Sequence, residues 1–488
     1  MESFKLYIDG QFESGAARFT SLNPATAEPW ANIAEARQDE VNRAVEAASR
    51  AFTSDGWQST TAGARGKLLL RLADLIEKNA DRLARIETLD TGKIICETQA
   101  QIAYVAEYYR FYAGLADKMD GSTLSIDKAD METWIRREAI GVVAAVIPWN
   151  SQLFLSAVKI GPAIAAGCTV VVKAAETAPA TLLAFAELIH EAGFPAGVCN
   201  IITGFAESCG GPLTSHPLVD HIAFTGGAET ARHIIRNSAE NLASISLELG
   251  GKSPFIVFSD ADLDSAANAQ VAAIFSASGQ SCVAGSRLLI DEKVKDAFLE
   301  KLLSKVRNIV IGNPELPETQ FGPLCTASQK RNIEQVVNRS IEQGARLVIG
   351  HHAIDRPGFF YPPTILDCSH VPEAASVLQE LFGPVLSVLT FNDEAEAIRL
   401  ANGSEYGLAA GVFTQNLTRA HRVTRKLRSG VVWINTYRVV SPLAPFGGYG
   451  KSGFGREGGI DAALEYTTTK TVWLRTSDEP ISDPFIMR

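Results

Sequence analysis

The spacing of hydrophobic and polar positions changes several times along the chain, and each change marks a different kind of element. Phe4, Leu6 and Ile8 alternate with polar neighbours up to the turn pair Asp9-Gly10, so residues 4–13 read as a hairpin. Asn23-Pro24-Ala25-Thr26 is a loop signal. Apolar residues then recur at helical spacing over 39–52, 60–79, 80–89 and 95–115, which predicts a mainly helical opening third. Over 122–138 the period returns to two, on either side of the polar stretch 127–130, the pattern of a two-stranded ribbon. Such a ribbon has too little core to stand alone, so it is expected to rest on another subunit or domain.

From residue 142 short, wholly apolar runs alternate with helical segments. Strands are predicted at 142–147, 169–172, 198–202, 221–224 and 245–249, with helices at 153–166, 179–192, 207–215 and 229–237. Strands without a polar face imply a parallel sheet covered by helices on both sides, which takes ligands at its carboxyl edge. A second series follows, with strands at 255–258, 286–290, 385–391, 409–413 and 431–434. Its helices span 262–275, where Asp262 is the N-cap, then 294–306 and 326–343, with two more near Glu394 and Leu417. The tail at 466–474 alternates like an edge strand. The fold class is α/β, with two doubly wound Rossmann-like domains and a small β-ribbon arm. Residues 1–117 and 139–249 form one domain and 250–449 the other. Residues 118–138 and 466–488 form an oligomerisation arm and tail.

Composition narrows the function. With 488 residues, 46% hydrophobic and 20% charged, the chain is an ordinary globular length for two or three domains. Its net charge of −10 is spread without a basic stripe, which argues against nucleic acid as a partner. The longest apolar runs, 139–148 and 161–172, are too short to span a membrane, and the N-terminus has no basic-then-apolar leader. Seven cysteines without a Cys-x-x-Cys pair, and eight histidines without ligand spacing, predict neither disulfides nor a metal site. A reducing, cytoplasmic location is the expectation.

Two glycine-rich matches near the end, 448–453 and 453–458, fit G-x-G-x-x-G but follow no clear strand and leave no room for a βαβ unit. Gly450-Lys451-Ser452 and Gly251-Lys252-Ser253 fail as P-loops, because Pro445 and Ser246 occupy the required glycine position. More informative is the stretch from Glu248-Leu249-Gly250-Gly251-Lys252 to Gly279-Gln280-Ser281-Cys282, which sets a carboxylate and a thiol beside flexible turns. A covalent enzyme needs such a base and nucleophile. Phe224-Thr225-Gly226-Gly227 joins a strand to a helix, where backbone N–H groups meet phosphates, and Lys173 with Glu176 ends another strand. Taken singly, each is also ordinary turn chemistry.

In order along the chain, Pro148-Trp149-Asn150, Lys173-x-x-Glu176, Phe224-Thr225-Gly226, Glu248-Leu249-Gly250-Gly251-Lys252, Gly279-Gln280-x-Cys282, Glu380-x-Phe382-Gly383-Pro384 and Pro445-Phe446-Gly447-Gly448 resemble the NAD(P)-dependent aldehyde dehydrogenase superfamily over nearly the whole length. The resemblance implies oxidation of a small-molecule aldehyde to the acid. Cys282 would form a thiohemiacetal and then a thioester, Asn150 would hold the oxyanion, and Glu248 would activate the hydrolytic water. Lys159 and Glu457 match a pair that relays protons. Ile147, Trp149, Lys173, Glu176, Gly210, Phe224, Gly226, Gly227, Leu249, Glu380 and Phe382 would contact the cofactor. Under this resemblance the first domain binds the cofactor and the second is catalytic. Glu176 favours NAD, with NADP the other cofactor in use across the family. A homo-oligomer built as a dimer of dimers is also implied.

Two departures stand out. The family turn after Phe224 commonly reads Gly-Ser-Thr with a further glycine three residues on, where this chain has Gly227, Ala228 and Ala231. Gly450 precedes Lys451 where many members place lysine directly after the aromatic residue. A CoA-acylating dehydrogenase and an inactive cofactor-binding homologue remain as other readings. The aldehyde is not specified. The positions expected at the entrance are Ser151, Phe154, Val158, Ser281, Val283, Arg438, Val439 and Phe446. Arg438, their one cation, could anchor a substrate carboxylate or serve as a solvated loop or subunit contact.

Overall fold

Two mainly parallel sheets carry the chain, and different stretches of sequence supply them. In the computed structural model, which describes residues 1–486, the first sheet has eight strands. Their order is Gly453–Phe454, Ser244–Leu249, His221–Gly226, Val142–Ile147, Thr169–Ala174, Cys199–Thr203, Leu6–Ile8 and Gln11–Glu13. The five central strands run parallel; Gly453–Phe454 and Leu6–Ile8 pair antiparallel at their flanks. The second sheet has seven strands: Arg346–Ile349, Thr364–Asp367, Val385–Phe391, Arg287–Asp291, Pro254–Val257, Ala409–Phe413 and Val431–Ile434. Its central strands are buried end to end, which is why they carry Val, Ile, Leu and Phe without alternation. Two hydrophobic clusters, one holding Phe255 and Leu288 and the other Ile256 and Leu289, occupy opposite faces of this sheet.

Most helices fall where the apolar period placed them. Ile95–Leu115 packs between Ala62–Lys78 and Gln152–Ala166, with Tyr109 and Tyr112 fully buried. Leu263–Phe275 begins at Asp262, whose carboxylate accepts from the Asp264 and Ser265 N–H groups at 3.1 Å. The hairpin at the start turns through Asp9 and Gly10, both with positive φ.

Several features differ from the sequence expectation, among them the strands Arg346–Ile349 and Thr364–Asp367 and the helix Gly459–Glu465, which the apolar pattern did not predict. The strands Ala17–Asn23 and Glu28–Glu35 form a small sheet with Glu2–Phe4 that the pattern did not predict. There, Ser21 points inward and donates to Asp90 at 2.5 Å while Leu22 is exposed, so the strand alternates regularly but carries a polar residue inside and an apolar one outside. Residues 207–215 are not one helix. A five-residue π-turn, Ala206–Gly210, meets the short helix Gly211–Thr214, because Gly210-Gly211-Pro212 interrupts regular winding.

The tail strand does not await a foreign partner. Thr467–Arg475 pairs antiparallel with Met131–Ala139 of the same chain over nine residues, and Ser122–Leu124 completes a three-stranded ribbon sheet. The last two tail residues, 487 and 488, lie outside the described residues. No helix among the described residues is long and apolar enough to cross a membrane.

Candidate active site

The carboxyl edge of the first sheet brings distant residues into adjacent rows. Val146 pairs with Lys173 and with Phe224, Ile147 with Ala174, Thr225 with Glu248, and Gly226 with Leu249. Trp149, Asn150 and Glu176 follow directly in the turns beyond the strand ends. Lys173 Nζ donates to Glu176 Oε2 at 2.7 Å, which fixes both polar ends at this rim. Gly226 has no side chain because a Cβ there would come within 2.4 Å of the Phe224 ring. Gly227 is the N-cap of Ala228–Asn241, and a Cβ built on it meets nothing within 4 Å. Ala231, one turn into that helix, is buried. Gly210, in the π-turn, likewise faces open space.

The thiol arrives from the second sheet. After Leu263–Phe275 the chain passes through Ala277 and Ser278, with φ of 52° and 53°, and Gly279 with φ of 74°, before reaching Cys282. A Cβ on Gly279 would lie 2.3 Å from the Gly383 backbone, so this close approach requires glycine. Gln280 secures the next turn: its Oε1 accepts from Cys325 N–H at 2.8 Å, and its backbone carbonyl accepts from Asn150 Nδ2 at 3.1 Å. A carbonyl only accepts, so this bond fixes which end of the Asn150 carboxamide faces the thiol loop.

Glu248 is 4% exposed, yet neither carboxylate oxygen has a hydrogen-bond partner among the described residues. Burial first, and then the negative charge of Glu457, push its carboxyl well above the usual carboxylate range; Lys159 and Arg456 oppose this. Gly447 makes room for it, since a Cβ there would sit 2.7 Å from Glu248 Oε1. Behind it, Lys159 Nζ donates to Thr225 Oγ1 at 2.6 Å and to Glu457 Oε1. Lys159, from Gln152–Ala166, is 1% exposed, so its charge depends on that carboxylate. Glu457 is fixed in turn by a backbone bridge to Phe446. Cys282 has no adjacent cation of this kind. Burial, followed by the charges of Glu380 and Glu248, pushes its thiol up to about 12.

Glu380 and Phe382 approach from the second sheet. Glu380 Oε1 accepts from the Gly251 N–H at 3.0 Å, and a Cβ on Gly250 would lie 1.8 Å from its other oxygen. The Gly250-Gly251 turn is therefore a seat for this carboxylate, whose pKa burial raises to about 7. Buried Lys252 next to it is lowered by desolvation to about 7. Phe382 has φ of 52° and meets Trp149 edge-on, with ring centroids 5.5 Å apart.

A cavity of about 590 Å³ opens onto Cys282 and Asn150, with Glu457 also in its wall. All eight expected entrance residues line it, joined by Tyr104 and Tyr108. Arg438 Nη1 donates to the carbonyls of Ala272 and Ser276, at 3.0 and 3.4 Å, so it is neither fully solvated nor free. Sequence reasoning missed Lys93, Glu97 and Gln101 in the same wall. Lys93 Nζ donates to Glu87, Gln101 and Ser151 at 3.1, 2.7 and 2.9 Å. Thr91-Gly92-Lys93-Ile94 looks like an ordinary helix-to-helix turn, and nothing local shows that it faces residues far along the chain.

The chain matches the family model described as "Aldehyde dehydrogenase family" over residues 12–472. It is 68% identical, over the full length of both chains, to the "(Z)-2-((N-methylformamido)methylene)-5-hydroxybutyrolactone dehydrogenase" of Acinetobacter baylyi. It is 41% identical to the betaine aldehyde dehydrogenase of Bacillus subtilis, covering 98% of each. Among solved structures, the NAD+ complex of an aldehyde dehydrogenase from Bacillus cereus aligns with a TM-score of 0.96 at 40% identity, covering 98% of this chain and 97% of that one.

The unpartnered Glu248 carboxylate gives a testable sign. A carboxyl raised by burial contributes stability that is full below its unfolded pKa and is lost as pH climbs through the raised value. Glu248→Gln stays neutral throughout. Its melting temperature should therefore gain on wild type, on the order of a few degrees, as pH rises above the usual carboxylate range in a thermal-melt series. A gap that stays constant with pH would show that this carboxylate is not strained by burial.

Proposed function

The chain belongs to the aldehyde dehydrogenase family, and from that premise we propose that Cys282 is its nucleophile and that its aldehyde carries a carboxylate. It is an enzyme that oxidises an aldehyde to the acid with NAD. The observation that carries the site reading is the convergence of Cys282 and the Asn150 amide on one cavity, with unpartnered, buried Glu248 nearby.

The thiol sulfur bonds to the aldehyde carbon as its proton leaves for a base, and the carbonyl oxygen takes the negative charge. The Asn150 amide and the Cys282 N–H receive that oxygen; one such donor is worth about 2.7–4 kcal/mol. NAD, when bound, accepts the hydride that leaves this carbon, so that a thioester remains on Cys282. The ionised form of Glu248, whose raised pKa makes it a stronger base, then takes a proton from water as the water oxygen attacks the thioester, which releases the acid and regenerates the thiol. Glu457 and Lys159 lie behind Glu248 and pass that proton outward. Hydrolysis through Glu248 favours this course over CoA-dependent acyl transfer.

The residues at the sheet edge fit a dinucleotide. The open N-terminus of Ala228–Asn241 at Gly227 leaves room for a phosphate beside unblocked N–H groups. Lys173 and Glu176 would hold the adenosine ribose, the carboxylate disfavouring a 2′-phosphate. Ile147, Trp149, Gly210, Phe224, Gly226 and Leu249 would form the remaining wall, with Glu380 and Phe382 at the nicotinamide end. Without the family's serine at 227, the pyrophosphate contact comes from backbone alone.

The substrate class is supported by the 68% identical relative, whose printed name is that of a dehydrogenase of a 5-hydroxybutyrolactone bearing an (N-methylformamido)methylene group. Opening that ring gives a 4-oxo carboxylic acid, an aldehyde with a carboxylate at the far end. We therefore assign this chain a 4-oxo acid, present in solution with its cyclic hydroxylactone. Arg438 would receive the carboxylate with the guanidinium nitrogens that Ala272 and Ser276 leave unused. Nearby Glu97 opposes it weakly, since burial raises its carboxyl and it already accepts the Ala277 N–H.

The ribbon sheet exposes Leu124, Trp473 and Leu474 beside free strand edges, which supports a dimer-of-dimers assembly through it. Light scattering should give four times the 52.4 kDa chain mass; a monomer mass would refute the assembly.

Cys282→Ala should reduce aldehyde-dependent NADH formation to background, and wild-type turnover would remove Cys282 from its role. Glu248→Gln should give an NADH burst followed by steady turnover roughly 10²-fold slower. Equal burst and steady rates would exclude Glu248 as the deacylating base. Arg438→Ala should lower kcat/KM for 4-oxobutanoate about 10- to 100-fold more than for butanal. Equal losses for the two would dismiss the carboxylate contact.

A further inference from the structure

Just before the thiol the backbone enters a conformation that L-residues avoid. Ala277, Ser278 and Gly279 all take positive φ, although non-glycine residues visit the left-handed region singly and not in runs. Something must hold this run in place. Ser278 Oγ donates to the Gly322 carbonyl at 2.8 Å, and Gln280 Nε2 donates to the Ala277 carbonyl at 3.3 Å. The Ser276–Ala277 peptide that opens the run is gripped at both ends. Its N–H donates to Glu97 Oε1 and Oε2 at 2.9 and 3.1 Å. Its carbonyl accepts from Arg438 Nη1 at 3.4 Å, and the same nitrogen holds the Ala272 carbonyl at the end of Leu263–Phe275.

We propose that Glu97 is a positioning residue for Cys282: with Arg438 it clamps one peptide plane and so holds the left-handed run that presents the thiol to the cavity. The proposal rests on the nucleophile reading above. Glu97 belongs to Ile95–Leu115 and lines the cavity, while Arg438 follows Val431–Ile434 and itself has φ of 63°. Three segments far apart in sequence thus meet at one amide group. The run also packs against a second strained segment, because Gly279 abuts Gly383, which follows Phe382 with φ of 52°. A slackened clamp would move Cys282 relative to Asn150, whose amide is tied to the Gln280 carbonyl two residues before the thiol. Glu97 does not touch the reacting atoms in this scheme; it acts through the loop.

The test reads Cys282 itself. Iodoacetamide alkylation of Cys282 would be followed by peptide mass spectrometry, and the NADH burst would be measured with propanal, which carries no carboxylate for Arg438. Glu97→Ala should slow both about 10- to 100-fold, the scale of an ångström-size misplacement, with NAD affinity unchanged. Glu97→Gln keeps an oxygen that accepts the Ala277 N–H and should stay within about threefold of wild type. Glu97→Asp keeps the charge but loses the reach and should behave like Ala; it carries the test if Glu97→Ala does not fold. Ala277→Gly added to Glu97→Ala should restore part of the burst, because glycine accepts the left-handed conformation without strain. Wild-type alkylation and burst in the Ala or Asp variant would overturn the clamp. So would equal impairment of Gln and Ala, or no recovery with glycine. Turnover by Cys282→Ala would instead defeat the nucleophile reading, whatever the Glu97 variants do.

Discussion

A buried carboxylate without a hydrogen-bond partner is costly, and Glu248 is such a group at the seam between the two sheets. Much of the surrounding backbone makes sense as accommodation of it. Its strand pairs on one side with His221–Gly226 and on the other with only the two residues Gly453–Phe454. Gly453 sits directly opposite Glu248, where a Cβ would strike the Leu247 carbonyl at 1.9 Å. Gly447 opens the space around the carboxylate oxygens. The glycines that superficially match a phosphate loop instead allow close backbone packing: Gly453 against the Leu247 carbonyl, Gly448 against Ser452 and Gly458 against the Ala444 carbonyl. Ser452 adds to it by donating to the Gly250 carbonyl at 2.7 Å and so anchoring the turn that follows Glu248.

The charges divide into neutralised and exposed-to-chemistry groups. Lys159 faces Glu457, Lys93 faces Glu87, and Lys173 faces Glu176, each within direct contact. Breaking such a buried pair leaves a lone charge, so these contacts fix geometry more than they add stability. Glu248 has no such partner, and Glu380 has a backbone N–H and only the longer-range influence of Lys252. Among the described residues, both of these weakly compensated carboxylates act electrostatically on the thiol, an arrangement that fits the proposed proton transfers.

How much of this could be read from sequence depended on range. Strands buried on both faces announce themselves, so Val385–Phe391, Ala409–Phe413 and Val431–Ile434 begin and end at the predicted residues. Ala17–Asn23 did not, because its buried position is a serine bonded to Asp90 and its exposed one a leucine; only the tertiary pairing makes it a strand. The tail pattern was legible as a strand, but its partner, Met131–Ala139, lies more than three hundred residues earlier, and alternation carries no address. The same holds at the site. Cys282, Glu248 and Asn150 sit in recognisable local contexts, whereas Glu97 looks like an acidic residue favouring a helix N-terminus. Its bonds to Ala277 depend on two elements meeting, and no spacing rule reports that.

The thiol's surroundings bear on the order of bond making. Burial, and then the charges of Glu380 and Glu248, push the Cys282 thiol up, so the resting environment favours the protonated form. An oxyanion donor, worth roughly 2.7–4 kcal/mol, acts only once the carbonyl oxygen carries charge. In the proposed reaction, proton loss accompanies carbon–sulfur bond formation, and the charge would pass to an oxygen held by Asn150 and the Cys282 N–H. This makes the position of the loop more important than the acidity of its thiol. A nucleophile activated by a neighbouring cation would tolerate drift, whereas one that reacts only as its oxyanion is caught must be held to within a fraction of an ångström. The strained residues Ala277, Ser278 and Phe382, packed through Gly279 and Gly383, are the backbone cost of that placement.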